Sequence, residues 1–419
     1  MSYASQKRRR RYNAYRFLLQ MLILLLVVLI LLAALLIFSS RSEPGVHPLV
    51  TTPSVTDRPE TDWWVESGPP ESVRIPETLV KPLDPIETNP LYDGFELPVD
   101  GATGYVSVAT NLLDQPSENG MILVTLDVGT SFVIVRETID HAWVLIRVGA
   151  LQGYIPEARC WVNLPDVIPS AVYDDTNSYA SLFRASGYEI PNVTGKQLYQ
   201  AKAYNARLGE DQYIMPIVIT AARKICQAQQ TALSLGYTLV IYEAFRPYDT
   251  QMTVAHAVKA LSLTNPTVKA GLYDEAKGWS ISWFIATSLA NHQKGYAVDT
   301  SMGEVTEYRS VRIGKYTLNR VVSYRKCQMP TEMHELSTAA AAYSYSYPAS
   351  KKTGWESIPL ASTMTPDARL LQIICTSAGL TPLASEWWHF NDLNTYDAVK
   401  NFEHTGAFFT ERCVSTLPD

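Results

Sequence analysis

An apolar run near the N-terminus, Phe17–Phe38, limits where the rest of the chain can lie. The run is roughly 22 residues long, close to the ~20 that a helix needs to cross a bilayer core. Basic residues crowd positions 7–16 before it, and only Arg41 follows closely after it. A cleaved signal peptide has a shorter apolar region that ends in a small-residue cleavage site. The pattern therefore predicts an uncleaved transmembrane anchor over 17–38, a basic cytoplasmic tail over 1–16, and everything downstream outside the membrane.

The overall charge and the cysteines exclude several classes of protein. A net charge of −6 gives no reason to expect a nucleic-acid partner. The cysteines are scattered and contain no C-x-x-C pair, so neither a zinc ribbon nor a disulfide framework is indicated. Their odd number leaves at least one thiol outside any intramolecular pair; they are Cys160, Cys226, Cys327, Cys375 and Cys413.

Two segments with different patterns follow the predicted anchor. Residues 39–98 are rich in Pro, Glu, Thr and Ser without periodicity, which is typical of an extended, semi-rigid extracellular linker. Residues 99–165 consist of short alternating segments broken by glycines, which favours a small antiparallel β-barrel.

The ordered motifs of residues 99–165 resemble a bacterial SH3-like domain. They are "VATNLLDQPS", a Gly before a strand at Gly129, Trp143 within "HAWVLIRV", and the closing "GYIP" at 153–156. In bacteria such modules often bind cell-wall peptides, while many others only space or brace a neighbouring domain. The resemblance leaves both roles open, because fold alone does not fix function.

The remaining residues, 171–419, suffice for one sizeable α+β domain. "ITAARKICQAQQTALSLGY" has apolar residues at helical spacing and a helix stop at Gly236. "TLVIYEAF" then reads as a buried strand that ends just before Arg246. A second helix is predicted from Thr365 to a stop at Gly379.

The stretch "NHQKGYAVD" places His292 and Asp299 seven positions apart around Gly295. Zinc favours imidazole nitrogen and carboxylate oxygen, and a catalytic site needs three protein ligands and an open position. These two side chains meet only if the chain bends between them, which a glycine permits. Taken alone, a His with an Asp nearby is more often structural than metal-binding.

Two further stretches carry residues suited to hydrolysis. In "ASEWWHFND", Glu386 and His389 are three apart, and on a helical turn or tight loop they face the same way. His389 is then suited to bind a metal, and Glu386 to accept a proton from the water that the metal activates. In "YEAFRPYDTQ", Arg246 follows a predicted strand, where a fixed cation stabilises a developing oxyanion.

Together, "YEAFRP", "HQKGYAVD" and "EWWHF" resemble the zinc D-alanyl-D-alanine peptidases over roughly 200 residues, a judgement that rests on motif spacing. The resemblance implies an α+β D-Ala-D-Ala peptidase/hedgehog-like fold with one Zn²⁺ held by His292, Asp299 and His389. It also implies that Glu386 is the general base and Arg246 the oxyanion stabiliser. The E-W-W-H form is closer to the dipeptidase branch than to the E-P-W-H form common in carboxypeptidases.

The resemblance also suggests substrate-binding residues, and here the sequence departs from the family. Ala290 stands where dipeptidases tend to carry a substrate-contacting Ser, and Asn291 follows it. In the pocket loop "MPTEMHELS", the family's substrate-amine Asp falls at His334, next to Glu335. The residues expected to contact substrate are therefore His334, Glu335, Asn291 and Trp388. The departures concern which end of a peptide is held, not the zinc chemistry.

The predicted location bears on the substrate. Outside the membrane of a bacterial cell, the available D-Ala-D-Ala ends belong to peptidoglycan stem peptides, and a wall-binding module would raise their local concentration. We therefore expect a membrane-anchored D,D-carboxypeptidase that trims stem peptides. The alternatives are a dipeptidase acting on free D-Ala-D-Ala, a catalytically weak wall-binding protein, and a peptidase of the same fold that cuts another bond.

Overall fold

The computed structural model of the protein describes residues 85–406 and Ser415, all within one compact unit, Gly68–Asp419. The predicted tail at 1–16, the predicted anchor at 17–38 and the predicted linker up to residue 84 lie outside the described residues. No helix within the described ranges is long and apolar enough to cross a bilayer.

The end of the predicted linker is folded. Phe95 and Leu97 are fully buried, and Ile86 is nearly so. The Asn89 side chain donates a hydrogen bond to the carbonyl of Asn319, 2.9 Å away. The prediction of an extended linker through residue 98 is therefore wrong for residues 85–98, because a few apolar residues spaced among the prolines supply enough buried surface to hold the segment.

The next segment forms antiparallel strands, as the alternating pattern predicted. We call these seven strands the N-terminal sheet; in space they run β7-β1-β4-β5-β6-β2-β3. Their assignment to the SH3-like class stays a prediction. Their bounds are β1 (Thr103–Val106), β2 (Thr110–Leu113), β3 (Ile122–Leu126), β4 (Ser131–Glu137), β5 (Trp143–Val148), β6 (Leu151–Pro156) and β7 (Cys160–Asn163).

The remaining elements build an α+β arrangement. The strands are β8 (Val172–Tyr173), β9 (Arg184–Ala185), β10 (Tyr188–Glu189), β11 (Lys202–Asn205), β12 (Glu210–Tyr213), β13 (Pro216–Val218), β14 (Tyr237–Glu243), β15 (Ala297–Ile313), β16 (Tyr316–Lys326), β17 (Glu335–Leu336), β18 (Thr381–Leu383) and β19 (Glu386–Asn391). The helices are α1 (Leu164–Val167), α2 (Ile219–Ser234), α3 (Tyr248–Thr264), α4 (Pro266–Leu272), α5 (Ile281–Phe284), α6 (Pro366–Ser377) and α7 (Leu393–Val399).

The central sheet has the order β18-β19-β15-β14-β8, with β16 paired to the far part of the long strand β15. Only β14 and β8 run parallel within this sheet. The middle strand, β15, pairs with β14 on one side and β19 on the other. Residues near the start of β15 are therefore held between two neighbours, which gives a rigid base for side chains.

The N-terminal sheet is continuous with the rest of the chain. Strand β13 pairs antiparallel with β7, with Ile217 opposite Val162 and Val218 opposite Trp161. Helix α2 starts directly after β13. The boundary predicted near residue 165 is thus crossed by a strand pairing, and the two segments share backbone hydrogen bonds.

The two helices expected from the sequence are confirmed. Helix α2 ends just before Gly236, whose φ of 81° is the left-handed conformation that a helix stop uses. Helix α6 begins after Thr365, whose side chain accepts a hydrogen bond from the Ala368 amide, and it ends before Gly379. Between them, every residue of β14 is buried, in agreement with the predicted core strand.

Three cysteines of the described residues, Cys160, Cys226 and Cys375, are free thiols. Cys226 in α2 and Cys375 in α6 are fully buried and pack as small apolar side chains; Cys160 is also buried and Cys327 is partly exposed. Cys413 lies outside the described residues.

Candidate metal centre

Three elements bring the predicted metal ligands together. His292 opens a single 3₁₀ turn, His292–Lys294, that ends at Gly295 with a φ of 75°. Asp299 lies on β15 directly opposite His389 on β19. The bend that the glycine was expected to permit is therefore present, and it turns His292 back toward the sheet. The three side chains are buried, with 1% to 5% of their surface exposed.

The three ligand atoms have the spacing of a tetrahedral metal site. His292 Nε2 lies 3.3 Å from Asp299 Oδ1, His389 Nδ1 lies 3.0 Å from the same oxygen, and the two nitrogens are 3.2 Å apart. Ligands bound to zinc at ~2.0–2.1 Å in tetrahedral geometry stand about 3.3 Å from one another. The residues therefore fit a zinc ion.

The outer nitrogens of the two imidazoles have their own acceptors. His292 Nδ1 is 2.8 Å from the carbonyl oxygen of Ala244, and His389 Nε2 is 3.1 Å from Oδ1 of Asn391. Each acceptor requires the proton to sit on that outer nitrogen, which leaves a lone pair on the nitrogen facing Asp299. Both rings are thus held in the tautomer that binds a metal.

The two oxygens of Asp299 have different surroundings. Oδ2 is 3.2 Å from both Arg246 Nη2 and His334 Nε2. Oδ1 is buried beside the two inner imidazole nitrogens and has no hydrogen-bond donor. Burial alone would raise the pKa of Asp299, but the surrounding imidazoles, His292 first, lower it well below its ordinary value. A buried, ionised oxygen without a donor fits a cation at this point.

Glu386 stands at the start of β19, beside the side chains of His292, Asp299 and His389. We call these three residues the metal-binding cluster, because their ligand atoms are placed to hold a metal ion. Glu386 Oε2 is 3.5 Å from His389 Nδ1. The expectation of a helical turn or a tight loop here is wrong, because residues 386–391 form a strand. The pairing with β18 shifts register between Pro382 and Leu383. In a regular strand, side chains three positions apart point to opposite faces. The register shift breaks this regularity, and Glu386 and His389 lie close together at one cluster.

The carboxyl group of Glu386 is nearly buried, with 9% of the residue exposed. Burial raises the pKa of Glu386 to about 8; the His389 imidazole opposes that shift and the Asp299 carboxylate adds to it. A carboxyl group whose pKa lies near neutrality is suited to both accepting and returning a proton.

Arg246 is a buried guanidinium fixed on several sides. Its Nε donates to Glu243 Oε2 at 2.6 Å, its Nη1 donates to Gln251 Oε1 at 2.7 Å, and its Nη2 also donates to Glu243. The Phe183 ring lies 5.0 Å from the guanidinium carbon. Burial alone would lower the pKa of Arg246, but Glu243 and Asp299 raise it. The cation is therefore permanent and beside the metal-binding cluster.

His334 lies in the pocket wall, against the metal-binding cluster. Its ring stacks on Phe183 with centroids 4.4 Å apart, and it meets Trp388 edge to face at 6.0 Å. Its Nε2 is directed at Asp299, as given above. Its backbone φ of 61° is uncommon for a residue other than glycine. The imidazole predicted to replace a substrate-binding Asp thus holds a ligand carboxylate, and its role toward substrate stays a prediction.

Glu335, also predicted to contact substrate, faces away from the pocket. Its carboxylate accepts a hydrogen bond from the Gly187 amide at 3.1 Å. Glu335 belongs to β17, where successive side chains alternate between faces. Its neighbours His334 and Leu336 line the pocket. Strand alternation therefore leaves Glu335 outside the lining of this cavity, and its contact with substrate stays a prediction.

Asn291 lines the pocket, but both ends of its amide are engaged within the protein. Its Nδ2 donates to Asn391 Oδ1 at 2.9 Å, and its Oδ1 accepts from the Tyr296 hydroxyl at 2.6 Å. These two bonds place the Asn291 amide behind His389. Its contact with substrate stays a prediction.

The metal-binding cluster opens into a cavity of about 440 Å³. Trp388, predicted to contact substrate, lines it together with Glu386 and Arg246. Most of the remaining wall is apolar, as is usual for a binding pocket. The apolar side chains are Phe183, Trp283, Phe284, Ile285, Leu289, Leu336 and Leu383.

Several supporting residues were not anticipated from the sequence. Glu243 and Gln251 hold Arg246, and Asn391 holds His389. A signal exists for two of them. Asn391 is two positions after His389, hence on the same strand face, and Glu243 ends the apolar run of β14 with a charge in the core.

The comparisons with known proteins agree with this geometry. The family model described as D-ala-D-ala dipeptidase, Peptidase_M15, matches residues 190–405, which is more than half of the chain and includes Arg246, His292, Asp299, Glu386 and His389. No curated protein matches the chain. Peptidases of this family are zinc-dependent metallopeptidases. The chain belongs to the Peptidase_M15 family, the D-Ala-D-Ala dipeptidase family of metallopeptidases.

Proposed function

We propose that the protein is a zinc-dependent D,D-peptidase that acts as a carboxypeptidase on peptidoglycan stem peptides ending in D-Ala-D-Ala. The observation that carries the proposal is the convergence of three buried ligand atoms 3.0–3.3 Å apart, with Glu386 and Arg246 at the edge of the same cavity. His292, Asp299 and His389 would hold one zinc ion.

When bound, zinc supplies a Lewis acid that polarises a carbonyl group and favours ionisation of water. Glu386 accepts the proton of the attacking water and returns it to the amino group of the departing D-Ala, so the proton count balances. The guanidinium of Arg246 faces the oxygen on which negative charge develops. Its Nη1 carries a second N–H besides the one donated to Gln251, and that hydrogen is suited to this contact.

The charges around the cavity favour a peptide with a blocked amino end. Among the described lining residues, the carboxylates are Asp299 and Glu386, and both belong to the catalytic group. A free dipeptide would bring an ammonium group that needs its own carboxylate when it leaves water. His334, at the position where the family carries an Asp, offers an imidazole instead. An amide-linked stem peptide has no such charge at that end.

The location proposed for this activity follows from the sequence. An anchor at residues 17–38, with the N-terminus in the cytoplasm of a bacterial cell, would place the peptidase outside the membrane, near the wall. The N-terminal sheet would then brace the peptidase segment or bind wall peptides.

The test is release of D-Ala from two substrates by the purified chain, with and without a chelator. We expect release from an N-acetylated peptide ending in D-Ala-D-Ala, little release from free D-Ala-D-Ala, and loss of both with the chelator. Cleavage of the free dipeptide alone would support the dipeptidase alternative and overturn the proposed substrate. No release from either by zinc-loaded protein would overturn the peptidase proposal.

A further inference from the structure

Behind the ligand His389 lies a chain of three hydrogen bonds. The Tyr296 hydroxyl donates to Asn291 Oδ1 at 2.6 Å, and Asn291 Nδ2 donates to Asn391 Oδ1 at 2.9 Å. The same Asn391 oxygen lies 3.1 Å from His389 Nε2. Tyr296 and Asn391 are buried, with 2% and 1% of their surface exposed.

We propose that Asn291 and Asn391 are positioning residues that fix the tautomer and ring orientation of His389 and thereby set the metal affinity of the site. The inference rests on the proposed metal site, although it does not depend on which peptide the enzyme cleaves.

The hydrogen bonds run in one direction through these side chains. The Tyr296 hydroxyl donates to Asn291 Oδ1, and this amide orientation turns Asn291 Nδ2 toward Asn391. The Asn291 N–H then selects the orientation in which Asn391 presents its oxygen. That oxygen accepts the Nε2–H of His389, which leaves the Nδ1 lone pair directed at the other two ligand atoms.

The opposite orientation of Asn391 would be incompatible with metal binding. Its NH₂ group would then face His389 Nε2, and Nε2 would need to be the acceptor. A neutral ring would consequently carry its proton on Nδ1, the nitrogen that stands 3.0 Å from Asp299 Oδ1. A protonated nitrogen cannot bind a metal.

The elements that carry the pair are rigid. Asn391 and His389 lie two apart on β19, so their side chains share a face of the strand. Asn391 pairs with Ala297 of β15, and the Asp392 amide donates to the Tyr296 carbonyl at 2.8 Å. A metal ligand keeps its geometry best when packing and hydrogen bonds fix the side chains around it.

The test compares the same change, Asn to Asp, at two positions where it leaves different hydrogen bonds. In Asn291→Asp the N–H donor is lost and a carboxylate faces Asn391, which favours the flipped amide. In Asn391→Asp a carboxylate still accepts from both His389 and Asn291. We expect Asn291→Asp to weaken zinc binding, measured by competition with a chromophoric chelator, by about 10- to 100-fold, and Asn391→Asp to retain it. Equal zinc affinity for Asn291→Asp and the unaltered chain would overturn the proposal, as would equal losses in both variants.

A merely structural role is distinguished by stability. Asn205→Asp is the matched control, because Asn205 is a buried amide that donates to Asp166 away from the cavity. We expect this control to lower the melting temperature of the zinc-free protein without changing zinc affinity. If Asn291→Asp does not fold, Tyr296→Phe removes only the first donor, and a several-fold weaker zinc affinity is expected; unchanged affinity would contradict the proposal.

The outcome is separable from that of the peptidase test. Zinc affinity and the visible spectrum of the Co²⁺-substituted protein report the ligand geometry even if no substrate is cleaved. A chain that releases no D-Ala but shows the expected affinity pattern would overturn the proposed function and support the positioning role.

Discussion

At the scale of single residues, Arg246 and Glu243 form a buried ion pair beside the candidate metal centre. The guanidinium has three anionic or amide partners, and the second carboxylate oxygen of Glu243 accepts from Asn177 at 2.8 Å and from Tyr199 at 2.9 Å. Removing one partner of such a pair leaves an uncompensated buried charge, which typically costs about 3–5 kcal/mol.

We therefore expect Arg246→Gln to lower both the free energy of unfolding and the rate of D-Ala release. In the double variant Arg246→Gln with Glu243→Gln, the charge imbalance is gone, so stability should largely return while turnover stays low. Chemical denaturation and D-Ala release measured on the same preparations separate the two effects. Recovery of turnover together with stability would show that Arg246 is needed only for folding.

His404 provides a pH-dependent stability effect away from the metal centre. Burial lowers its pKa from the ordinary 6.5 to about 4, although its hydrogen bond to the Val399 carbonyl opposes this shift. A lowered folded-state pKa contributes stability that is present above pH 6.5 and is lost as the pH falls toward 4. After solvent screening the contribution is roughly 1–2 kcal/mol.

We expect His404→Gln to flatten the dependence of unfolding free energy on pH between about 6.5 and 4, measured by denaturation at a series of pH values. A variant that loses stability on acidification as steeply as the unaltered chain would exclude His404 as the source.

At the residue scale the sequence identified the residues that meet at the cavity but not their surroundings. His292, Asp299, His389, Glu386 and Arg246 were predictable, because metal binding and proton transfer require particular residue types at fixed spacings. Asn291 and Glu335 were predicted to contact substrate, and the structure gives both side chains partners within the protein. Their roles depend on which face of a turn or strand a side chain takes, and that is decided by long-range pairing.

At the scale of elements, the 3₁₀ turn that carries His292 is held from behind by the N-terminal sheet. A Cβ added at Gly295 would stand 2.2 Å from Nε1 of Trp161, a residue of β7. The Gly295 carbonyl also accepts a hydrogen bond from the Val218 amide of β13, 2.9 Å away. The turn that carries His292 is thus supported by the paired strands β13 and β7.

Gly295→Ala is expected to destabilise the protein and weaken zinc binding, because both the positive φ and the contact with Trp161 oppose a methyl group. Gly209→Ala is the matched control, since Gly209 has a φ of 73° and nothing within 4 Å of an added Cβ. The control should lower the free energy of unfolding by only about 1–2 kcal/mol, the cost of placing an alanine in the left-handed backbone conformation. Similar losses in melting temperature and zinc affinity for both variants would exclude the role of Trp161.

The elements differ in how well the sequence specified them. Helices α2 and α6 were predictable, since periodicity and a terminal glycine act locally. Strand β19 was expected to be a helical turn or a tight loop because Glu386 and His389 are three apart. Its true conformation is imposed by β15 and β18, which pair with it from elsewhere in the chain.

At the scale of the whole molecule, residues 99–165 and 171–419 share backbone hydrogen bonds and an apolar cluster. Strand β13 extends the N-terminal sheet, and Trp161 and Val218 belong to one apolar cluster together with Phe245 and Tyr296. The alternating pattern and the composition of the sequence predicted two separate domains. Neither feature reveals a strand, such as β13, that pairs across the predicted boundary.

We therefore expect residues 85–419 to unfold in one cooperative transition and the isolated fragment 171–419 to be unstable, since it would expose the edge of β13 and the apolar surface under Trp161. Differential scanning calorimetry of both proteins tests this expectation. Two separate transitions, or a fragment that melts at the temperature of the longer protein, would show that the segments fold independently.

The proposed function depends on proton transfer by Glu386 in a zinc-dependent cleavage. The most direct measurement is the rate of D-Ala release from an N-acetylated peptide ending in D-Ala-D-Ala by Glu386→Gln and by the unaltered chain at equal zinc content. Because Glu386 is not among the three proposed ligands, we predict full zinc occupancy with release slower by about 10²- to 10⁴-fold. Release at the rate of the unaltered chain would contradict the account.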